Sequence, residues 1–240
     1  MKTRLDQAMA VQGLVPTRSQ AESWIKLGKV KVDGRAITKP GFLLAEDAKI
    51  EFSASEQYVS RAGLKLASVT KALNIDFKDK VVLDVGSSTG GFTDYALQHG
   101  ASKVIAVELG TDQLHPSLHG HAKIELHEQT DIRSISELSS QPDIVVIDVS
   151  FVSLREILPH VSRLSTKNTQ IIAMAKPQFE AATSNLKHKG VIKNDRMRRD
   201  ILKDLEQWLK SYFVILDKSD SEVAGSKGNL ERFYKLKKNA

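Results

Sequence analysis

The stretch Lys80-Val81-Val82-Leu83-Asp84-Val85-Gly86-Ser87-Ser88-Thr89-Gly90-Gly91-Phe92 constrains the chain more than any other. Val81, Val82, Leu83 and Val85 read as a strand apolar on both faces, as in a covered parallel sheet. Asp84 lies near its end. Gly86, Gly90 and Gly91 then allow a sharp turn and a close backbone approach by a ligand. The helix expected to follow would present unpaired N–H groups to that ligand.

A second apolar strand, Val104-Ile105-Ala106-Val107, ends in Glu108, which lies 22 residues beyond Gly86. A nucleotide-binding βαβ unit places its ribose-holding carboxylate at about that distance, roughly 20 residues on. The turn is longer than G-x-G-x-x-G, and no Lys-Ser or Lys-Thr follows as a P-loop requires. A nucleoside cofactor without a pyrophosphate therefore fits best, and S-adenosylmethionine is the common one. The cofactor candidates are Asp84, Gly86, Ser87, Ser88, Thr89, Gly90, Gly91, Phe92, Glu108, Leu109 and Asp131.

The downstream pattern supports an α/β, doubly wound, mostly parallel sheet. Strands are expected over 81–85, 103–107, about 124–128, 143–148 and 170–176. Helices are expected over about 91–99, near Ile135 to Leu138, and over Arg196 to Leu209. Tyr212 to Leu216 and Arg232 to Leu236 read as a final antiparallel pair. In such a sheet ligands bind at the carboxyl ends of the strands, where Gly86, Glu108, Asp131 and Asp148 would gather. Lys176 ends a strand just before Pro177, and its spacing allows either an ordinary ion pair with an aspartate or a catalytic amine. Lys65 lies between apolar neighbours of a helix running from about Arg61 to Leu73, where a solvated lysine is equally allowed.

Residues 1–52 have a different texture. Two short helices, Arg4 to Gly13 and Gln20 to Leu27, precede a hairpin at Val30-Lys31-Val32-Asp33-Gly34 and a strand at Lys49 to Phe52. Arg4, Arg18, Lys26, Lys29 and Lys31 punctuate them. Residues 53–60 read as a linker and 61–240 as the larger domain. The net charge of +6 is unevenly spread, with −4 across residues 61–160 and +8 across 161–240. A basic region of this kind suits a polyanion such as nucleic acid; Lys187, Lys189 and Lys193 lie within it, and Arg61, outside it, joins them as a candidate contact.

Other classes are set aside. There is no cysteine, hence no disulfide framework or thiolate metal site. His115, His119, His121 and His127 cluster, but Pro116 and Gly120 disturb the spacing, so no metal is expected. No apolar run approaches the roughly 18–20 residues of a spanning helix, and Met1 to Gln7 has no apolar signal core. A cytoplasmic protein without a membrane partner is the expectation.

The N-terminal motifs Arg4-Leu5-Asp6, Thr17-Arg18-Ser19-Gln20-Ala21 and Gly28 to Gly34 resemble the S4-type RNA-binding domain. The whole chain resembles the TlyA (hemolysin A) family, an S4-type domain fused to an FtsJ-like methyltransferase. The carrying motifs are Tyr58 to Leu66, Asp84 to Asp94, Asp148-Val149-Ser150-Phe151, Lys176-Pro177-Gln178-Phe179-Glu180 and Gly228-Asn229-Leu230-Glu231. The resemblance implies S-adenosylmethionine-dependent methylation of a ribose 2′-hydroxyl in ribosomal RNA, with ribosomal RNA or ribosomal subunits as partner. It also implies a catalytic tetrad, carried over to Lys65, Asp148, Lys176 and Glu231. The run Glu128 to Arg133 departs from the family's Arg-Thr-Asn pattern, and Arg232 stands where an apolar residue is usual. A non-catalytic RNA- or ribosome-binding protein is the main alternative, and a membrane-lysing protein a remoter one.

Overall fold

The computed structural model describes residues 3–15, 17–26, 28–45, 47–52, 58–181, 190–192, 194–223, 225 and 228–239. Lys187, Lys189 and Lys193 lie outside the described residues, as does the stretch 53–57 of the expected linker.

The N-terminal unit consists of α1 (Leu5–Val11), α2 (Arg18–Lys26) and a small antiparallel sheet. That sheet has the order β2-β1-β3, from β1 (Val30–Val32), β2 (Arg35–Ala36) and β3 (Ile50–Phe52). Leu5, Met9, Ala21, Ile25 and Val30 are fully buried in its core. One charged group goes in with them. Asp6 is buried and accepts hydrogen bonds from Arg4 Nε (3.0 Å) and Arg18 Nε (2.8 Å), which ties the start of α1 to the start of α2.

The larger unit is built on seven strands in the order β6-β5-β4-β7-β8-β10-β9. They are β4 (Val81–Val85), β5 (Lys103–Val107), β6 (Ile124–His127), β7 (Ile144–Ile147), β8 (Gln170–Ala175), β9 (Phe213–Asp220) and β10 (Arg232–Lys238). The first five are parallel, and β10 enters antiparallel beside β8. The order reverses between β4 and β7, and the crevice outside that switch point is where such sheets bind ligands.

Helices cover both faces, which is why the central strands are continuously apolar. On one side α3 (Arg61–Thr70) and α4 (Gly91–Gln98) bury Leu64, Leu66, Phe92 and Tyr95 against Val82, Val146 and Phe233. On the other, α5 (Leu154–Leu164) and α7 (Asp195–Lys210) bury Leu158, Val161, Leu202 and Leu205 against Leu83, Val145 and Tyr234. A single-turn α6 (Pro177–Glu180) follows β8.

Three local expectations are corrected. The helix expected near Ile135 to Leu138 does not form. A 3₁₀ turn at Ile132–Ser134 takes its place, because the Asp131 carboxylate accepts from the Arg133 N–H at 2.8 Å and caps the chain earlier. Helix α5 is an element the sequence reading lacks. Pro159 inside it removes one helical donor, yet Leu154, Ile157, Leu158, Val161 and Leu164 keep a buried face at helical spacing. Tyr58, expected within a linker, is buried. Its carbonyl accepts from Gln20 Nε2 of α2 at 2.9 Å, and the N–H of Val59 donates to Asp94 of α4 at 2.8 Å. The core of the N-terminal unit is thereby continuous with one face of the large sheet.

Burial pushes the Asp6 carboxyl up, but the hydrogen bonds from Arg4 and Arg18 hold it below the usual range. The stability it contributes is present above the unfolded-state pKa and is lost as pH falls through the folded one. Asp6→Ala is expected to cost roughly 2–4 kcal/mol at neutral pH. Arg4→Ala costs less, since Arg18 still pairs with the carboxylate. Urea denaturation of the three proteins checks the order.

Candidate active site

The carboxyl ends of β4, β5, β7 and β8 form one rim. Asp84, in β4, is completely buried and accepts from Thr93 Oγ1 of α4 at 2.6 Å. Its other oxygen, Oδ1, is buried without a hydrogen-bond partner among the described residues, as is Oγ of Ser87. Burial pushes the Asp84 carboxyl up to about 7, against the opposing bond from Thr93. Gly86 adopts φ +80°, and a Cβ there would sit 2.9 Å from the carbonyl oxygen of Asp148. The β4 and β7 ends thus approach at a distance only glycine permits.

At the end of β5 the Glu108 carboxylate is pinned from two sides, accepting from the N–H of Ser88 (2.9 Å) and of Gly110 (2.7 Å). It is therefore held beside the glycine-rich turn, as the ribose-holding role requires. Leu109 next to it is 67% exposed, an apolar side chain at a sheet edge where a flat ring can lie. A ligand with an ammonium, ribose hydroxyls and an adenine ring fits this donor and acceptor set. The buried Asp84 oxygen lacks a donor that an ammonium supplies.

Other cofactor candidates divide. Ser87, Ser88, Thr89 and Gly90 form the turn itself, and Gly91 opens α4. The Phe92 side chain is buried against the Phe233 ring, with centroids 6.1 Å apart, so it packs the core under the turn. Asp131 follows Thr130, whose N–H donates to the Glu108 carbonyl at 2.9 Å, but its carboxylate is taken up by the Arg133 guanidinium at 2.7 Å.

Two lysine–carboxylate pairs lie on the same rim. Lys176 Nζ is 2.5 Å from Asp148 Oδ1, and Lys65 Nζ is 2.6 Å from Glu231 Oε2. Each of the four comes from a different element: α3, the end of β7, the end of β8 and the lead into β10. Strand register explains the assembly. Arg232 of β10 pairs with Ala175 of β8, so the next step along the two antiparallel strands sets Glu231 opposite Lys176. Lys65 and Lys176 are both buried, at 9% and 8% exposure, which removes the solvated-lysine reading of Lys65. Burial pushes the Glu231 carboxyl up and Lys65 pulls it back. Asp148 and Lys176 are near enough to add opposing contributions of their own.

The sequence reading missed what surrounds Lys176. Its Nζ donates to Ser150 Oγ at 2.8 Å and stands 5.9 Å from the Phe179 ring centroid. Phe151 packs its ring 5.2 Å from that of Phe179, yet it is 91% exposed and holds φ +67°. An aromatic residue in the left-handed region stores strain of order 1–2 kcal/mol. Ser150 and Phe151 belong to the motif Asp148 to Phe151, but no spacing rule distinguishes them.

The RNA candidates also divide. Lys26, Lys29 and Lys31 are exposed at the end of α2, in the following turn and on the outward side of β1. Arg4 and Arg18, about half exposed, spend their guanidinium groups on Asp6. Arg61 is partly buried at the start of α3.

A doubly wound sheet with a buried acid before its glycine turn and a second acid at the next strand defines a binding site for a nucleoside cofactor. The FtsJ-like methyltransferase family model matches residues 58–238, and the S4 domain model matches residues 3–50. The chain is 39% identical to the 23S rRNA (cytidine-2′-O)-methyltransferase TlyA of Campylobacter jejuni, over 82% of this chain and 77% of that protein. It is 30% identical to the 16S/23S rRNA (cytidine-2′-O)-methyltransferase TlyA of Mycobacterium tuberculosis, over 98% and 90%. A solved structure from Streptococcus thermophilus, named as a hemolysin, superposes with a TM-score of 0.72 at 32% identity, covering 99% of this chain and 89% of that one. The chain belongs to the TlyA family of FtsJ-like methyltransferases with an N-terminal S4 domain.

Because folding raises the Asp84 pKa, the native state binds more protons than the unfolded one between about pH 4 and pH 7. This group's contribution to stability therefore falls as pH rises through that window. The shift corresponds to roughly 4 kcal/mol. Asp84→Asn is expected to flatten the pH dependence and raise the melting temperature at pH 8, while weakening S-adenosylmethionine binding. Calorimetric scans from pH 5 to pH 8 and a titration with the cofactor read the two effects.

Proposed function

We propose that this chain transfers a methyl group from S-adenosylmethionine to a ribose 2′-hydroxyl of ribosomal RNA, with Lys176 as the group nearest the hydroxyl. The observation that carries the reading is the convergence of two lysine–carboxylate pairs, with Lys65, Lys176 and Glu231 buried and Asp148 partly so, on the rim that also bears Asp84, Gly86 and Glu108. Bound S-adenosylmethionine supplies an electrophilic methyl. The side chains must orient a poor nucleophile and take its proton. Lys176, in its amine form, accepts the hydroxyl's proton as the oxygen attacks the methyl. Asp148, 2.5 Å away, holds the ammonium that results. Lys65 and Glu231 hold the second pair behind it and balance the cluster's charge.

Asp84 would hold the ammonium of the cofactor, Glu108 its ribose hydroxyls, and Leu109 with the Asp131 region its adenine. On the RNA side, Phe151 offers an exposed face on which a base can stack beside Lys176. The N-terminal unit, through Lys26, Lys29 and Lys31, and Arg61 at the start of α3, would bind phosphates of a structured RNA. The cytidine targets of the two named relatives make a cytidine the first nucleotide to try. Among the described residues no helix is long and apolar enough to cross a membrane.

Single-turnover transfer of labelled methyl to separated ribosomal subunits tests the reading. Lys176→Ala is expected to slow transfer by about 10²–10⁴-fold with RNA affinity unchanged. Phe151→Ala is expected to cost about 5- to 100-fold, the equivalent of one lost base stack. Full transfer by Lys176→Ala would remove the lysine from the mechanism.

A further inference from the structure

Arg198 belongs to the basic region that the sequence assigns to a polyanion, yet its side chain turns inward. It stands in the first turns of α7 and is 8% exposed. The helix begins where Asn194 Oδ1 accepts from the N–H groups of Arg196 (2.9 Å) and Met197 (3.1 Å). From there Arg198 donates through Nε to the carbonyl of Leu230 at 3.0 Å, and through a terminal nitrogen to Asp220 Oδ1 at 2.7 Å. Asp220 is fixed in turn by Arg232 Nε at 2.6 Å.

The Leu230 carbonyl belongs to the peptide unit that leads into Glu231. The peptide unit leaving Glu231 is also held, since its carbonyl accepts from the N–H of Ser221 at 2.9 Å. With both flanking peptide planes pinned, the direction of the Glu231 side chain from its Cα is set, and its carboxylate meets Lys65 at 2.6 Å. The surroundings are equally tight. Asn229 Oδ1 accepts from the N–H of Ile192 at 2.9 Å, and a Cβ on Gly225 would sit 2.9 Å from Glu231 Oε1. Of the two ties to the flanking peptide units, the one from Arg198 is made by a side chain and can be removed by substitution.

We propose that Arg198 is a positioning residue for methyl transfer: by holding the Leu230 carbonyl it aims Glu231 at Lys65, and it sets the rate of the reaction rather than the affinity for either substrate. The proposal rests on the reading of Glu231 as a member of the catalytic cluster. A mispositioned group can cost up to about 10²-fold in rate.

The test is a double-mutant cycle on single-turnover methyl transfer with full-length protein and saturating ribosomal RNA substrate. Arg198→Met is combined with Glu231→Gln, and cofactor and RNA affinities are measured alongside. Arg198→Met is expected to slow transfer about tenfold or more, to leave both affinities within twofold, and to cost nothing further in the Glu231→Gln background. Arg198→Lys is run through the same cycle. It keeps a cation beside Asp220 but cannot reach two acceptors as the guanidinium does, so it reports on the Leu230 bond if the methionine variant fails to fold. An equal cost in both backgrounds, or a loss confined to affinity, would overturn the proposal while leaving Glu231 catalytic. A Glu231→Gln protein that transfers methyl at the full rate would overturn the catalytic reading of Glu231 and the role of Arg198 together.

Discussion

Four charged side chains brought together at one rim of a sheet, three of them buried and Asp148 partly so, are the constraint on which the structure depends. A buried lysine or carboxylate left alone costs several kcal/mol, and pairing recovers that cost only with good geometry. Lys65 with Glu231 and Lys176 with Asp148 meet at 2.6 and 2.5 Å. Neither pair is local. Lys65 comes from the first helix of the large unit, and Glu231 from the lead into the last strand. The antiparallel insertion of β10 beside β8 is what brings them together. Lys235 of β10 adds a second tie, donating to the carbonyls of Leu73 and Asn74 past the end of α3, both at 2.9 Å. The end of the chain closes the site that its middle begins.

The N-terminal unit is joined to that site through its core. Tyr58 lies between Gln20 of α2 and the start of α3, and Val59 is bound to Asp94 of α4, the helix that follows the glycine turn. An RNA held by the small unit is therefore held by a body packed against the cofactor side of the sheet. Arg4 and Arg18 show the cost of reading charge alone. Their first task is to neutralise Asp6, and the exposed basic groups of this unit include Lys26, Lys29, Lys31, Arg35, Lys39 and Lys49.

Much of the architecture is legible from the chain, for physical reasons that differ between elements. The doubly buried strands β4, β5, β7 and β8 announce themselves as apolar runs, and Asp84, Glu108 and Asp148 fall where strand ends must fall. Lys65 is different. Its helical neighbours allow a solvated or a buried lysine, and only the distant Glu231 decides. Helix α5 is obscured by Pro159 even though its buried face has helical period. The 3₁₀ turn at Ile132–Ser134 depends on one side chain, Asp131, choosing the Arg133 N–H. The inward turn of Arg198 depends on acceptors 22 and 32 residues away, which no local pattern contains. Phe151 is invisible for the same reason, since its exposure and positive φ are properties of the assembled rim.

The central claim is that the two paired lysines and carboxylates serve a ribose hydroxyl. The most direct measurement is the chemical position of the transferred methyl. RNA labelled by the wild-type protein with S-adenosylmethionine would be hydrolysed in alkali, which cleaves only beside a free 2′-hydroxyl. Label recovered in alkali-resistant dinucleotides is the predicted result. Label recovered in mononucleotides carrying a methylated base would contradict the account, because an exocyclic or ring nitrogen, or a ring carbon, would then be the acceptor at Lys176.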